Sequence, residues 1–566
     1  MKKLFFAVFL HLFALLLGAQ ELVLVEKGVP RCEIIIGEKP VRSAQFAAME
    51  LQYALQKITS SKVEIRAVPS GKQKTLIYVG QSAESRKKGF PNKELKKEFY
   101  LVDYKGNDIF LMGNDDEDYG KVDYSKWITF PKRDYYYRST TYAVYDFIED
   151  ALNVHYYGPG DIGMTYTKRD TVTVKPFRRY RAPDFDAFRS IANYKIEDGM
   201  KRDFEIMFLR FRLNTMYGIA NHSTWGIFFH YWGKAKSKDK AALFKEKRHD
   251  LFAQGYKGRL AAVIGKEYPN DPDLPPQLCL TNPGTLDYFI WEGTECLKGK
   301  RVPGSYGFRP RMKDQPYYYI FQEDDNNYFC KCANCQAYIK KKPYVELRYD
   351  FINRLAEAIS RKDPNAGVTT LCYSGGGSYP KTKLHPSVAV QICLSLQSYY
   401  HPGIYARQHS LYKEWVQKEI KNRPLFVYTY MLCPYAEATN IYRYNKFFPF
   451  LYPWKTAEYV KEFAKDGIKG WFCEINLQQH MLECYLSTRI TYDASVNTDK
   501  LIEDYFRNYY GKAGPAMKKF YKELEKICWD PANMSEGSRN KIIKGSYIYG
   551  YHTERRNWHY GTPERM

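Results

Sequence analysis

The spacing of apolar and polar positions is the first feature of this chain, and its period changes along the sequence. From about residue 21 to 176, short apolar runs end at turn residues, as residues 75–80 do, which is typical of buried strands. Two further runs flank residues 105–107 as the strands of a hairpin would. A helical period predicts one helix over 140–152 and another that is capped by Ser43, the latter with an apolar face of Ala47, Leu51, Leu55 and Ile58. This region is therefore predicted to be a small α/β domain.

Beyond about Asp184 the pattern changes to apolar strands that alternate with helices. Such a series favours a parallel barrel or a doubly wound sheet. The barrel is preferred because no glycine-rich phosphate-binding fingerprint follows an early strand, and residues 375–377 (Gly-Gly-Gly) lack its spacing. The predicted strands end near Arg189, Tyr217, Phe321, Tyr373, Cys393, Tyr430 and Glu474.

After Glu474 the chain is predicted to be helical. Two amphipathic stripes, within residues 501–509 and 517–527, are interpreted as core packing. The basic stretch 177–183 is interpreted as a connector. The predicted fold class is thus α/β, with a (β/α)8 TIM-type barrel preceded by a smaller α/β accessory domain and followed by a helical region. The predicted boundaries are 1–19 for a signal peptide, 20–176 for the accessory domain, 177–490 for the barrel and 491–566 for the helical C-terminal region.

The first residues have the composition of a secretory signal peptide. Lys2 and Lys3 form a basic segment, residues 4–17 are apolar except for His11, and Gly18-Ala19 offers small residues for cleavage. The apolar run is shorter than the roughly 20 residues that a membrane-spanning helix needs. The sequence therefore predicts an exported protein, periplasmic, on the cell surface or secreted, without stable membrane insertion.

The charge of the chain narrows the class of partner. Lys and Arg number 86 against 63 Asp and Glu, which gives a formal net charge of +23. These basic residues are scattered instead of forming an arm, so nucleic acid is the poorest candidate for an exported protein. An acidic glycan or an acidic extracellular surface fits better, and the predicted partner is a glycan or glycoprotein substrate, in particular an anionic one. Solubility alone is the alternative explanation of a diffuse charge.

The cysteines leave two alternatives open. Of the twelve present, only Cys330, Cys332 and Cys335 are close in sequence. Three thiolates could bind zinc, but a structural zinc site usually has four ligands, and the sequence does not place the fourth. A local disulfide with one free thiol is therefore favoured for an exported chain. No metal and no cofactor are predicted.

The strongest candidate for chemistry is the acidic segment after the predicted strand that ends near Phe321. In a parallel barrel, functional side chains stand at the carboxyl ends of the strands. This strand leads directly into Glu323, Asp324, Asp325 and Asn326, while Glu474 ends the last predicted strand. An acidic turn is the alternative for the first group. A structural salt bridge is the alternative for Glu474, because a buried acid without a partner is costly.

Carboxyl groups next to aromatic rings suit the cleavage of glycosidic bonds, in which one acid protonates the leaving oxygen and another group stabilises the positive centre. The chain has neither a G-x-S-x-G elbow nor an H-E-x-x-H helix, so serine hydrolases and zinc proteases are not supported. Structural roles remain open for several of the candidate residues. His222 could be a structural histidine as well as a contact to a sugar hydroxyl, and backbone capping is the favoured role for Asn214 and Asn282. Tyr373 and Tyr430 could simply close the top of the barrel. The predicted substrate-binding residues are Asn214, His222, Trp225, Asp324, Asn326, Tyr373, Tyr430 and Trp471.

Four strings of the second region have a recognisable pattern, namely residues 277–283, 325–335, 467–474 and 509–513. They resemble the family known as the domain of unknown function 4838, part of which is glycoside hydrolase family 163. The resemblance extends from about Arg178 to Cys528. Through residues 47–58, 77–82 and 156–163, the region 21–176 resembles the accessory N-terminal domain of α-glucuronidases and hexosaminidases.

The resemblance implies a (β/α)8 barrel that acts as an endo-β-N-acetylglucosaminidase on N-glycans and retains configuration through substrate assistance. The 2-acetamido oxygen of the sugar attacks its own anomeric carbon, one enzyme acid orients that amide, and another protonates the leaving oxygen. Glu323 is expected to be the acid/base and Asp325 to orient the amide, with Glu474 as a close competitor. The run of three acids at 323–325 departs from the pattern expected of many relatives.

Two other functions stay open at this point. One is an exo-acting hydrolase of uronic or sulfated sugars. It is supported by the positive net charge and by the resemblance of the N-terminal region to the accessory domain of α-glucuronidases. The other is a catalytically silent glycan-binding protein.

Overall fold

The computed structural model describes residues 21–133, 136–193, 196–215, 225–232, 238, 242–255, 277–298, 317–319, 329–373, 378–431 and 450–531. The chain divides into two compact units. The first contains Met1–Pro183, Ile196–Leu213 and Arg507–Gly511, and the second contains Asp184–Lys195, Asn214–Phe506 and Lys512–Met566. The predicted signal peptide lies outside the described residues.

The first unit is an α/β domain on a six-stranded sheet of order β11-β6-β7-β5-β3-β4. Strands β4, β3, β5 and β7 are parallel, and β6 and β7 form an antiparallel hairpin. The strands are β1 (Leu22–Glu26), β2 (Val29–Pro30), β3 (Cys32–Ile35), β4 (Ile65–Arg66), β5 (Thr75–Val79), β6 (Tyr100–Lys105), β7 (Asp108–Gly113), β8 (His155–Tyr156), β9 (Met164–Thr165), β10 (Val172–Val174) and β11 (Arg179–Arg181). The helices are α1 (Arg42–Thr59), α2 (Ala83–Lys87), α3 (Thr140–Leu152) and α4 (Lys201–Arg210).

Most elements predicted for this region are confirmed, including the hairpin, the strand β5 and the helix α3. Two local expectations are wrong. Val41, not Ser43, is the N-cap of α1, and Ser43 lies inside the helix. The basic stretch 177–183 is more than a connector, because Arg179–Arg181 pairs with β6 as an edge strand.

The second unit is built on a seven-stranded sheet of order β13-β12-β18-β17-β16-β15-β14, curled into half of a barrel. All neighbours from β12 to β14 in this order are parallel. The strands are β12 (Phe188–Asn193), β13 (Asn214–Thr215), β14 (Tyr317–Tyr319), β15 (Gly367–Cys372), β16 (Val388–Leu394), β17 (Leu425–Met431) and β18 (Gly470–Ile475). The helices are α5 (Trp225–Tyr231), α6 (Pro283–Leu297), α7 (Ala333–Lys341), α8 (Tyr344–Lys362), α9 (Pro402–Glu419), α10 (Pro453–Lys465), α11 (Met481–Tyr492), α12 (Thr498–Tyr510) and α13 (Gly514–Trp529).

The central strands of this sheet are buried on both faces. Every residue of β15, β16, β17 and β18 is buried, as expected for parallel strands covered by helices. Gly470 allows close packing here, since a Cβ at this position would lie 2.6 Å from Cζ of Phe188. One face carries a cluster formed by Ala187, Phe188, Leu371, Tyr373, Ala389, Cys393, Phe426, Tyr428, Tyr430 and Phe472.

The two C-terminal helical stripes differ in burial. On α12, Ile502, Tyr505 and Phe506 are buried, so the core role predicted for the first stripe is confirmed. On α13 the core prediction is wrong, because Phe520 is 49% exposed and the other residues of that stripe are only half-buried, namely Met517, Tyr521, Leu524 and Ile527. None of the helices in the described ranges is long and apolar enough to cross a membrane.

Candidate active site

Glu474 is the predicted catalytic residue that the structure describes. It is next to last in β18, at the carboxyl end of the parallel strands, and its register partners are Ala192 on β12 and Tyr430 on β17. Because side chains alternate along a strand, Glu474 shares a face with Phe472, a member of the apolar cluster. Its side chain is only 8% exposed. A carboxyl group therefore stands on the inner face of the sheet, at the edge where barrel enzymes carry their chemistry.

Tyr428 fixes the position of this carboxyl group. Its hydroxyl donates a hydrogen bond to Oε1 of Glu474. The Tyr428 ring lies 4.5 Å from the ring of Phe472 and 5.1 Å from that of Tyr430, measured between centroids. Sequence reasoning missed Tyr428, although its spacing of two residues from Tyr430 predicts that both face the same side.

Tyr430 and Tyr373 lie in the same cluster as Tyr428. Burial raises the pKa of Tyr430 well above its usual value, and the nearby Cys393, Tyr428, Tyr373 and Glu474 groups raise it further. The Tyr430 hydroxyl therefore stays protonated and is able to donate a hydrogen bond. The structure thus brings together three of the predicted site residues, Glu474, Tyr430 and Tyr373.

A buried arginine on α8 holds the carboxyl end of β15. The guanidinium of Arg348 donates to Oγ1 of Thr370 at 3.1 Å and to the carbonyl oxygens of Leu371 and Tyr373, the latter at 3.4 Å. These bonds fix the backbone that carries the Tyr373 ring. Arg348 is 4% exposed and acts here as a positioning residue.

Gln391 is a second polar residue that sequence reasoning missed. It lies on β16 between Ala389 and Cys393, two members of the apolar cluster, so alternation puts it on the same inner face. The residue is fully buried, and neither amide atom has a hydrogen-bond partner within the described part of the chain. An amide in this position is able to bind a polar ligand group that reaches into the sheet.

Two predicted binding residues are placed elsewhere. Asn214 lies on β13, which pairs antiparallel with β12. Its partner on β12 is Arg189, and Arg189 is in turn level with Trp471 on β18. Asn214 is therefore three residues, or about 10 Å, short of the level of Glu474. Trp471 is fully buried and one residue out of phase with Phe472, so it faces away from the inner cluster. The structure brings neither residue to the carboxylate.

Two of the remaining predicted residues lie at the starts of helices. Trp225 is the first residue of α5. Asn282, for which capping was the structural alternative, is indeed the N-cap of α6 and accepts from the Gly284 amide. His222, Glu323, Asp324, Asp325 and Asn326 lie outside the described residues.

The expectation of a local disulfide is wrong. Cys330, Cys332 and Cys335 are all free thiols, and Cys279 joins them. The Sγ atoms of Cys279 and Cys332 are 3.7 Å apart, whereas a disulfide requires about 2.05 Å. Cys279 is the fourth thiol that the sequence did not place.

Most residues of this site lie in a segment that matches a known family. Residues 266–522 match the family described as "Domain of unknown function (DUF4838)". The resemblance to this family is confirmed for that segment. The DUF4838 segment contains β14 to β18, and therefore Tyr373, Tyr428, Tyr430 and Glu474. Among curated proteins, none matches the sequence.

Several solved structures are similar at low identity. A family 115 4-O-methyl-α-glucuronidase with specificity for decorated arabinogalactans has 14% identity and a TM-score of 0.49, over 89% of this chain and 62% of that one. A β-N-acetylhexosaminidase from Bacteroides fragilis has 13% identity and a TM-score of 0.41, over 90% and 94%. A family 89 glycoside hydrolase from Clostridium perfringens has 11% identity and a TM-score of 0.42, over 86% and 52%. The chain thus spans less than two thirds of the first and third of these proteins.

Proposed function

We propose that this protein is a glycoside hydrolase whose second unit is a complete (β/α)8 barrel. The strand order supports closure. In a barrel that is wound in chain order, the first strand pairs with the last, and here β12 pairs in parallel with β18. The strands β17, β16, β15 and β14 then follow in reverse chain order. Six of the eight strands of the proposed barrel are present in the described sheet, and β13, which pairs antiparallel with β12, is not one of them.

The observation that carries the enzymatic proposal is the Tyr428–Glu474 pair at the carboxyl edge of the sheet. A carboxyl group that is nearly excluded from water, fixed by a hydroxyl donor and flanked by Phe472 and Tyr430, has the surroundings needed for acid-assisted cleavage of a glycoside. Aromatic rings also provide flat surfaces on which sugars stack.

The substrate that we propose is an N-acetylglucosamine-containing glycan, cleaved as by an endo-β-N-acetylglucosaminidase on N-glycans. The resemblance of residues 325–335 and 467–474 to the DUF4838 family supports this choice. In a substrate-assisted reaction two enzyme acids serve one sugar ring, and configuration is retained. Glu474 is proposed as one of them, and Glu323 or Asp325, which follow β14 in the chain, as the other.

Product analysis tests this proposal. The purified full-length protein is incubated with an N-glycosylated glycoprotein. The masses of the released sugars and of the remaining glycoprotein are then measured by mass spectrometry. We expect an intact glycan in solution and a single N-acetylglucosamine left on asparagine. Release of uronic acid from aryl glucuronides alone would replace the proposed substrate by that of an exo-acting glucuronidase. Binding of glycans without any turnover would overturn the enzymatic proposal.

A further inference from the structure

Four cysteine side chains converge within the second unit, and none of them belongs to the apolar cluster of the sheet. Their Sγ atoms all lie within 4.8 Å of one another. Cys279 lies just before α6, and Cys330, Cys332 and Cys335 lie at the start of α7. Cys279, Cys330 and Cys335 are buried, and Cys332 is half-buried. The group therefore joins two segments of chain that are 53 residues apart, counted from Cys279 to Cys332.

Two of the sulfur–sulfur distances match those of a tetrahedral metal site. Sγ of Cys279 is 3.7 Å from Sγ of Cys332 and 3.9 Å from Sγ of Cys335. Four sulfurs held about 2.3 Å from one zinc ion at the corners of a tetrahedron lie about 3.8 Å apart. The two sulfurs of a disulfide would be about 2.05 Å apart. Uncharged thiols that pack only as apolar side chains are not expected to gather in a group of four.

Hydrogen-bond donors surround the sulfurs. The backbone amide of Gln254 donates to Sγ of Cys330, and that of Cys335 donates to Sγ of Cys332, both at 3.4 Å. Oγ1 of Thr281 lies 3.1 Å from Sγ of Cys335 and 3.6 Å from Sγ of Cys332. Donors of this kind stabilise thiolates and orient them toward a metal. Cys332 is the N-cap of α7, so the partial positive charge of this helix N-terminus also stabilises negative charge on the sulfurs.

We propose that Cys279, Cys330, Cys332 and Cys335 bind one Zn²⁺ ion as thiolates. Four sulfur ligands in a tetrahedron select zinc or iron among the common metals. With all four positions occupied by protein ligands, the site has no open position for a substrate and is structural. Binding replaces the thiol protons, which are released to solvent, and leaves the oxidation state of the sulfurs unchanged. The ion would crosslink the segment before α6 to the segment before α7.

Metal content of the full-length protein tests the assignment. The wild type and two variants are purified after exposure to Zn²⁺, and bound metal is measured by mass spectrometry of the elements. We expect about one zinc ion per chain in the wild type and less than a tenth of that in Cys279→Ala. Cys296→Ala is the matched control, because Cys296 is a buried cysteine on α6 outside the group, and it is expected to keep its zinc. Equal zinc in the Cys279→Ala protein, or iron in place of zinc, overturns the proposal.

Three measurements on the wild type keep the test decisive if Cys279→Ala does not fold. Co²⁺ exchanged for Zn²⁺ is expected to give the visible absorption of a tetrahedral ion and a thiolate-to-cobalt charge-transfer band. A chelator is expected to lower the melting temperature, and added Zn²⁺ to restore it. Alkylation of the unfolded, unreduced protein should modify all four thiols. Protection of these cysteines as disulfides, or the absence of a cobalt spectrum, contradicts the zinc site.

Discussion

At the scale of single residues, the candidate site depends on one hydroxyl–carboxylate pair in an aromatic environment. Burying a carboxyl group without a hydrogen bond is costly, and the Tyr428 hydroxyl provides one to Glu474. Hydrogen bonds to charged groups contribute roughly 1.5–3 kcal/mol. The pair therefore fixes the orientation of the acid before any substrate is bound, which is a requirement for efficient proton transfer.

Removal of the Tyr428 hydroxyl tests this positioning role. Tyr428→Phe is expected to lower kcat by about 10- to 100-fold, because the carboxyl group loses the donor that orients it. In the double variant with Glu474→Gln the loss should be clearly smaller than the product of the two single losses, since the residues act as a unit. Tyr338→Phe is the matched control, because the Tyr338 hydroxyl also donates to a carboxylate, that of Asp350. Independent, multiplicative effects at 428 and 474 would contradict the pairing.

Sequence reasoning located part of this site and missed the rest for definable reasons. Glu474, Tyr430 and Tyr373 were found because each ends a strand that its apolar run makes visible. Trp471 was misplaced because a shift of one residue changes the face of a strand, and Asn214 because β13 is too short for its direction to be read. Cys279 was missed because its partners are more than 50 residues away in the chain, and no local pattern records such a contact.

At the scale of elements, the start of α10 is capped by a side chain from α13. Oε2 of Glu525 accepts hydrogen bonds from the backbone amides of Trp454 at 2.8 Å and Lys455 at 3.4 Å. Burial raises the pKa of Glu525 from 4.5 to about 7, and Glu483 adds to this, while the two amides oppose it. The folded protein therefore holds a proton on this group over a pH range in which the unfolded chain has released it.

This raised pKa gives stability a defined pH dependence. For an acid whose pKa is higher in the folded state, the contribution is present below the unfolded value of 4.5 and is lost as pH rises toward the folded value of about 7. A tenfold difference in proton affinity between the folded and unfolded states corresponds to about 1.4 kcal/mol. Glu525→Gln retains an acceptor for the two amides, so its melting temperature should fall less than that of the wild type between these pH values. Parallel curves for the two proteins would contradict the assignment.

A buried ion pair joins two helices of the first unit. The guanidinium of Arg210 on α4 contacts Glu50 on α1, with Nε to Oε2 at 2.7 Å and Nη2 to Oε1 at 3.1 Å. The side chains are 3% and 0% exposed. The Tyr145 hydroxyl also donates to Oε2 of Glu50, at 3.1 Å. This network holds α4 against α1 within the first unit.

Breaking this pair should destabilise the protein strongly. Glu50→Gln leaves a buried guanidinium without its counter-charge and is expected to cost about 3–5 kcal/mol of unfolding free energy, measured by thermal or denaturant unfolding. Glu64→Gln is the control, because Glu64 pairs with Arg66 at an exposed position and should cost no more than about 1 kcal/mol. Similar losses in both variants would show that burial of the Glu50 pair has no energetic consequence.

Helices and strands could be predicted from the sequence where their apolar pattern is strong. Strands β15 to β18 are long apolar runs and were recognised, with β12 extending to Asn193 beyond the expected end near Arg189. The edge strand β11 reads Arg-Tyr-Arg and has no apolar alternation by which it could be found. For α13, periodicity predicts an apolar stripe but not whether another element covers it, and Phe520 shows that it is covered only in part.

At the scale of the whole molecule, the pairing of β12 with β18 connects the fold to the proposed chemistry. It joins the first and last strands of the series, so that Glu474 is flanked by Ala192 on one side and Tyr430 on the other. If the barrel closes as proposed, this edge is one rim of a cylinder, and residues 323–325 follow a strand of the same cylinder. Local patterns predict such strands, but only the structure reveals which of them are neighbours.

The most direct test of the account is the rate of glycan release by the Glu474→Gln protein. Wild type, Glu474→Gln and Glu357→Gln, an exposed glutamate on α8, are compared on the same N-glycosylated substrate after equal melting temperatures are verified. We expect kcat/KM to fall at least about 100-fold for Glu474→Gln and to stay near the wild-type value for Glu357→Gln. A folded Glu474→Gln protein that releases glycan at the wild-type rate would contradict a catalytic role of Glu474.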